Sequence, residues 1–211
     1  MKENSKIVIT ISRQLGSGGA YIGQQLAKKL NVSYWDREII RLAAKKLSVL
    51  DDELESRDER MRSFWESFFH FGGYNGPDMY IPPNIFDPTD KELFNAEAEV
   101  IKSIANDHSA VIIGRCGSHI LEGYPNHTSI FLHADLEFRK ERIENLYNEN
   151  NVVMTASSKK IAKSDSERSR YHHMLTGKEW TDAKQYDLSI DTSKIGVDNS
   201  VQLILHYLKL V

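Results

Sequence analysis

The chain has 211 residues, 40% of them hydrophobic and 27% charged, with a formal net charge of -3 and one cysteine, Cys116. These figures exclude a disordered chain, a disulfide framework, a multi-cysteine metal site and a whole-chain electrostatic grip on nucleic acid. No stretch reaches the roughly 18 apolar residues that a membrane helix requires. The first residues show no apolar signal core, so a cytoplasmic protein of one domain is the expectation. Charge is unevenly spread. Residues 51–107 carry 14 acidic and 5 basic side chains, and residues 139–170 carry 8 basic and 5 acidic. The contrast fits either two differently solvated surfaces or an anion-handling element in the later window.

In chain order, Ile7 to Ile11 is a short β-branched run of the kind buried in a parallel sheet. A glycine-rich turn, Gly16-Ser17-Gly18-Gly19, follows, and then Ile22, Leu26 and Leu30 recur at helical spacing. Val32 to Asp36 reads as a second strand. Residues 37–47 and 51–70 read as helices, the second ending in Phe64, Trp65, Phe68 and Phe69. Residues 71–90, rich in glycine and proline, read as a long loop, and a helix resumes near Lys91 and runs to about Asp107. Val111–Gly114 and Ser129–Leu132 are further buried strands, each followed by a helical pattern. Ser157 to Thr176 is helical with Gly177 as its stop. Asp187–Asp191 is a last strand before a helix from Val201 to Leu208. Strands alternating with helices predict a three-layer α/β/α parallel sheet, with residues 37–107 and about 143–185 as excursions from it.

The strand, glycine turn and helix together present backbone N–H groups and a helix N-terminus to one point, an arrangement suited to phosphate. A tight corner without ligand is the alternative. A phosphate-binding loop of the usual kind ends in Gly-Lys-Ser/Thr, the lysine reaching the terminal phosphates and the hydroxyl holding magnesium. Here Gly19 takes the lysine's place, and Ala20 and Tyr21 follow. The nearest cation is Arg13, within the loop, which either supplies the missing charge or ties the loop to the sheet.

Arg115 follows a buried strand at the end where open α/β sheets bind ligands. Arg139 and Arg142 lie three apart and share a helix face, as ligand contacts or as part of a solvated helix. Asp165 and Arg168 can pair on one face. Arg168 and Arg170 are roughly 200° apart on a helix, so either the helix breaks near Ser169 or only one of the two meets a ligand; Arg168 is the favoured contact. Asp36 either orients an acceptor hydroxyl, binds a metal through water, or caps a helix. His172 and His173 read as surface histidines, and Cys116 as packing. The aromatic cluster from Phe64 onward, with Tyr74 and Tyr80, reads as the core of the excursion, as a homodimer surface, or third as a base-stacking wall.

The segments Ile11-Ser12-Arg13-Gln14-Leu15-Gly16-Ser17-Gly18-Gly19, Tyr34-Trp35-Asp36, Ile113-Gly114-Arg115-Cys116, Phe131-Leu132-His133-Ala134 with Arg139 and Arg142, Asp165 to Tyr171, and Tyr186 to Thr192 together resemble the cytidylate kinase-like family. The closest branch carries Ser-Arg-Gln and Gly-Ser-Gly-Gly in a lysine-less loop. The resemblance implies a P-loop, nucleoside-monophosphate-kinase fold over residues 1–211. Its core would be about 1–36, 108–142 and 185–211, its acceptor-binding helical insert about 37–107, and its lid about 143–170. It further implies an ATP-dependent phosphotransferase acting on a nucleotide or small anionic metabolite. Arg13, Arg115, Arg168 and Arg170 would serve catalysis. Gly16, Ser17, Gly18, Gly19, Arg139 and Arg142 would join Arg13 on the nucleotide phosphates, and Asp36 and Asp165 would join Arg115 at the acceptor. ATP is the expected cofactor. Magnesium is in doubt because its usual ligands are absent. The rival expectation is a nucleotide- or phosphate-sensing protein on the same fold, with a partner-binding role third.

Overall fold

The computed structural model describes residues 6–36, 39, 42–43, 88–149 and 157–210. The sequence-predicted helices over 37–47 and 51–70, most of the loop at 71–90, and the aromatic cluster lie outside the described residues, apart from Ile39, Leu42 and Ala43.

Five strands form one parallel sheet: β1 (Val8–Arg13), β2 (Ser33–Trp35), β3 (Ala110–Ile113), β4 (His127–His133) and β5 (Leu188–Asp191), in the order β2-β3-β1-β4-β5. The described helices are α1 (Gly19–Leu30), α2 (Pro88–Asp107), α3 (Gly117–Ile120), α4 (Leu136–Glu149), α5 (Ser158–Thr176), α6 (Thr192–Ile195) and α7 (Val197–Tyr207). β1 is central, pairing Ile11 with Ile113 of β3 and with Ile130 of β4. Chain order reverses direction across it, so its C-terminal end opens on the crevice where such sheets take ligands.

Alternation along the strands sends side chains to two layers. Ile9, Ile11, Val111, Ile113, Ile130 and Leu132 pack with Ile22 and Leu26 of α1 and Val201 and Ile204 of α7. Val8, Ala110 and Ile112 face the other way, against Ile101 and Ile104 of α2 and Leu121. On that second side Phe131 stacks on Tyr186, with ring centroids 5.1 Å apart, and meets Trp180 edge-on at 5.3 Å. The expected three-layer α/β/α arrangement is therefore present.

Several boundaries differ from the sequence reading: α2 starts at Pro88 and not near Lys91, β4 spans His127–His133 and not Ser129–Leu132, and β2 is the shorter Ser33–Trp35. Arg13 closes β1 instead of lying in the loop, because Ser12 and Arg13 stay in register with Phe131 and Leu132 of β4. α7 starts at Val197, four residues before the expected Val201, directly after Gly196. α5 matches Ser157–Thr176 within one residue, and Gly177, at φ +68°, closes it by donating its N–H to the His173 carbonyl.

Candidate active site

The loop from β1 to α1 turns through Gly16 and Gly18 at φ +81° and +89°, a region that costs glycine no Cβ clash. α1 begins at Gly19 with no acidic residue in its first turn, so its first amides, which lack carbonyl partners within the helix, keep their positive potential. Ser17 is fully buried. Its hydroxyl donates to the Gln14 carbonyl at 2.9 Å, and its own carbonyl accepts from Thr192 Oγ1 at 2.9 Å. Arg142 of α4 reaches the same loop: a Cβ at Gly18 would lie 3.3 Å from its Nε. The Arg142 guanidinium carbon sits 5.6 Å from the centroid of the Tyr21 ring, and its buried Nε has no hydrogen-bond partner. Tyr21 in turn donates to Asp198 at 2.7 Å, which holds its phenol above the usual range.

Arg13 takes an unexpected course. Its aliphatic stem lies over Gly19, where a Cβ would come within 2.6 Å of Arg13 Cγ and 2.9 Å of Arg13 Cβ. The space at the root of the usual loop lysine is therefore filled by arginine arriving from the strand. Its guanidinium extends past Gly114, whose added Cβ would collide with Nη1, to an ion pair with Asp36 at 3.8 Å. Both partners are mostly buried, at 12% and 16% side-chain exposure.

Beyond β3 the chain makes a left-handed turn. Gly114, Arg115 and Cys116 have φ +72°, +54° and +52°, and Gly117 N–H closes the turn onto the Gly114 carbonyl at 3.0 Å. Two consecutive non-glycine residues in this region store strain of about 1–2 kcal/mol each. The turn aims Arg115 at Glu97 of α2, with Nη1 3.3 Å from Oε1; the other carboxylate oxygen accepts from Tyr171 of α5 at 3.2 Å. Glu97 is completely buried, and desolvation raises its carboxyl above the usual range against the opposing pull of Arg115 and the Tyr171 hydroxyl. Cys116 is buried and its thiol is pushed up to about 12, chiefly by burial and then by the Glu97 charge. It is no nucleophile at neutral pH.

α5 crosses this edge as one continuous helix. Asp165 accepts from the Leu15 N–H at 2.9 Å and pairs with Arg139, which also donates to the Leu15 carbonyl at 3.4 Å. Three residues on, buried Arg168 donates to the Arg13 carbonyl at 2.8 Å. A small cavity of about 30 Å³, room for two waters, is lined by Arg13, Gly114, Arg115, Arg168, Tyr171 and His172 among others.

The predicted site residues therefore divide. Arg13, Arg115 and Arg168 converge on one cavity, with Asp36 joined to Arg13. Arg142 stands at the glycine loop, while Arg139 and Asp165 pair with each other and clamp that loop. Asp165 thus meets Arg139 and the Leu15 N–H. Helix α5 does not break at Ser169, and Arg170 is exposed on its outer side. His172 corrects the surface expectation: it is 3% exposed, contacts Gln185 at 3.1 Å, and burial lowers its pKa. Its neighbour His173 is exposed and pairs with Glu179 at 3.1 Å. Glu97 and Tyr171 join the site without a motif in the sequence that marks them. The signal for Glu97 is its phase, since Leu93, Glu97, Ile101 and Ile104 form one buried helical stripe.

The glycine loop and its cations fit a chain of phosphates. The usual magnesium set does not fit: the position of the metal-binding hydroxyl is Ala20, the Ser17 hydroxyl is engaged by Gln14, and among the described residues no three His, Cys, Asp or Glu side chains gather as a metal site. No helix among the described residues is long and apolar enough to cross a membrane.

Comparison with known proteins agrees with this architecture. The sequence profile of the cytidylate kinase-like family matches residues 8–194. No curated protein matches the chain. Among solved structures, an uncharacterized protein from Eubacterium ventriosum ATCC 27560 superposes with TM-score 0.67 at 23% identity, over 97% of this chain and 99% of the other. A gluconokinase from Sinorhizobium meliloti 1021 gives 0.53 at 14% over 96% and 91%. Shikimate kinase from Bacteroides thetaiotaomicron gives 0.51 at 12% over 97% and 99%. At these identities the likeness is one of fold, the α/β fold of P-loop kinases, and with the family match over most of its length the chain belongs to the cytidylate kinase-like family.

Proposed function

We propose that the protein is a cytoplasmic, ATP-dependent phosphotransferase acting on a nucleotide or small anionic metabolite. In this reading residues 37–107 form the acceptor insert and about 143–170 the lid. The observation that carries it is the course of Arg13. Its stem occupies the lysine's root at Gly19, and its guanidinium passes Gly114, pairs with Asp36 and lines one cavity with Arg115 and Arg168. Phosphoryl transfer needs positioning and positive charge on the migrating group more than covalent chemistry. The glycine loop and Arg142 hold the donor phosphates, Arg13 meets the migrating group, and Arg115 holds the acceptor anion. Arg168 ties the lid to the Arg13 backbone, so that ordering of the lid and placement of Arg13 occur together.

The second reading is a sensor that binds phosphate without transferring it, and the specific observation favouring it is Ala20 at the magnesium-hydroxyl position. Calorimetric titration with ATP, with and without magnesium, followed by turnover of a monophosphate panel, tests both. ATP binding that is lost in Arg13→Ala with the fold retained, together with turnover of one monophosphate, supports the transferase. Binding indifferent to magnesium and without turnover supports the sensor. Absence of binding to ATP, GTP and CTP refutes both.

A further inference from the structure

We propose that Glu97 is a positioning residue that directs the Arg115 guanidinium by its charge and joins it to helix α5 through Tyr171, so that acceptor-anion binding depends on a carboxylate the anion never touches. This rests on the reading of Arg115 as the acceptor ligand.

Three elements meet at this carboxylate. α2 supplies Glu97, the strained turn after β3 supplies Arg115, and α5 supplies Tyr171. Arg115 sits at φ +54° between two further residues of positive φ, a conformation that persists only where its surroundings over-determine it. A carboxylate at 0% exposure, 3.3 Å from Nη1, provides that constraint. Stability alone does not account for a charge here. Burying an ion pair contributes little net stability and is often matched by uncharged residues of the same size. Oε1 lies against Arg115 without an aligned hydrogen bond, while Oε2 takes the tyrosine hydroxyl. The carboxylate thus acts on the arginine through charge and direction. Tyr171 follows Arg168 by three residues, so the helix that grips the Arg13 carbonyl also reaches the carboxylate behind Arg115.

The sign of one substitution separates this role from a bland one. Glu97→Gln keeps the volume and an acceptor for Tyr171 while removing one negative charge near an anion site. Charge alone would then strengthen anion binding, and a purely structural role would leave it unchanged with lower thermal stability. Positioning predicts the opposite of the charge effect. Wild type, Glu97→Gln, Tyr171→Phe and Arg115→Ala are titrated calorimetrically with inorganic sulfate, with CMP and, separately, with ATP. The expected result is a tenfold or greater weakening of sulfate and CMP in Glu97→Gln, with ATP affinity within twofold of wild type. Tyr171→Phe, which serves if Glu97→Gln does not fold, weakens the same two ligands by a few fold. Unchanged or tighter sulfate and CMP binding in a folded variant overturns the proposal. A wild type that binds neither, or an Arg115→Ala that binds both normally, overturns instead the acceptor role of Arg115 on which it rests.

Discussion

If Arg13 has taken over the space and charge of the loop lysine, then restoring the lysine alone should harm the protein. In Gly19→Lys the new Cβ lies 2.6 Å from Arg13 Cγ, 2.9 Å from its Cβ and 3.4 Å from its Cδ, whereas optimal carbon–carbon contact is about 3.5–4.0 Å. The atoms in the way are at the root of the arginine and cannot swing aside without moving β1 or Arg13 χ1. Overpacking of this kind costs about 1–3 kcal/mol, offset by up to about 0.7 kcal/mol of helix propensity on replacing glycine. In Arg13→Gly all three obstructing atoms are gone, so Gly19→Lys in that background should be neutral or mildly stabilising. The cycle should therefore show a favourable coupling of about 1–3 kcal/mol. A chain of this length shifts its Tm by roughly 2–4 °C per kcal/mol. Urea denaturation of the four proteins measures the coupling, and ATP titration follows the functional half. The single Gly19→Lys should bind ATP more weakly despite its added charge, and the double variant should recover. Additivity within about 0.5 kcal/mol, or a Gly19→Lys protein as stable as wild type, would refute the claim that the two positions share one space.

Three further outcomes follow from the same contacts. Gly114→Ala places a Cβ at φ +72° against Arg13 Nη1, so it should lose about 1–3 kcal/mol of stability in denaturation and weaken ATP binding in the same titration as Arg13→Ala. Asp165→Ala removes the partner of Arg139 and of the Leu15 N–H; a loss of about 1–3 kcal/mol is expected, with amide exchange at Leu15 and Gly16 accelerated. The Cys116 thiol is pushed up from 9.0 to about 12, so the native state keeps a proton that the unfolded chain releases. Its contribution to stability is whole below pH 9 and is lost as pH rises toward 12, at about 1.4 kcal/mol per pH unit. Cys116→Ala should flatten the alkaline limb of the stability curve by that slope, and an equal slope in the variant would refute the assignment.

The β-branched runs at Val8–Ile11 and Val111–Ile113 and the mainly apolar run at Ser129–Leu132 make the buried strands legible, because strands covered on both faces need no polar alternation. The glycine turn was legible because few residues tolerate its dihedrals. What escaped the sequence depends on pairing across distance. The apolar run ends at Ile11, which makes Arg13 look like a loop residue; its strand character comes from register with Leu132, 119 positions away. Asp165 has a nearby arginine at i+3, yet its partner is Arg139 on another helix. Glu97 was hidden by composition, in a window with 14 acidic side chains where an acid reads as solvated. His172 was hidden for the converse reason, since a polar helix gives little sign of the face that Ile161, Arg168 and Tyr171 bury.

That face of α5 explains why the cations of the site cannot be considered one at a time. Asp165, Arg168 and Tyr171 recur every three residues and reach, in turn, the Leu15 amide of the glycine loop, the Arg13 carbonyl and the Glu97 carboxylate behind Arg115. A helix is stiff over two turns, so a tilt that loosens one of these contacts changes the other two. On the proposed reading, the charge that the usual loop lysine supplies from α1 comes here from Arg13 on β1, whose carbonyl is held from α5. The glycine loop, Arg13 and the carboxylate behind Arg115 therefore answer to a single helix. The same substitution at Asp165 that loosens Leu15 should on this argument also shift the affinity of the cavity for sulfate, although Asp165 does not line it.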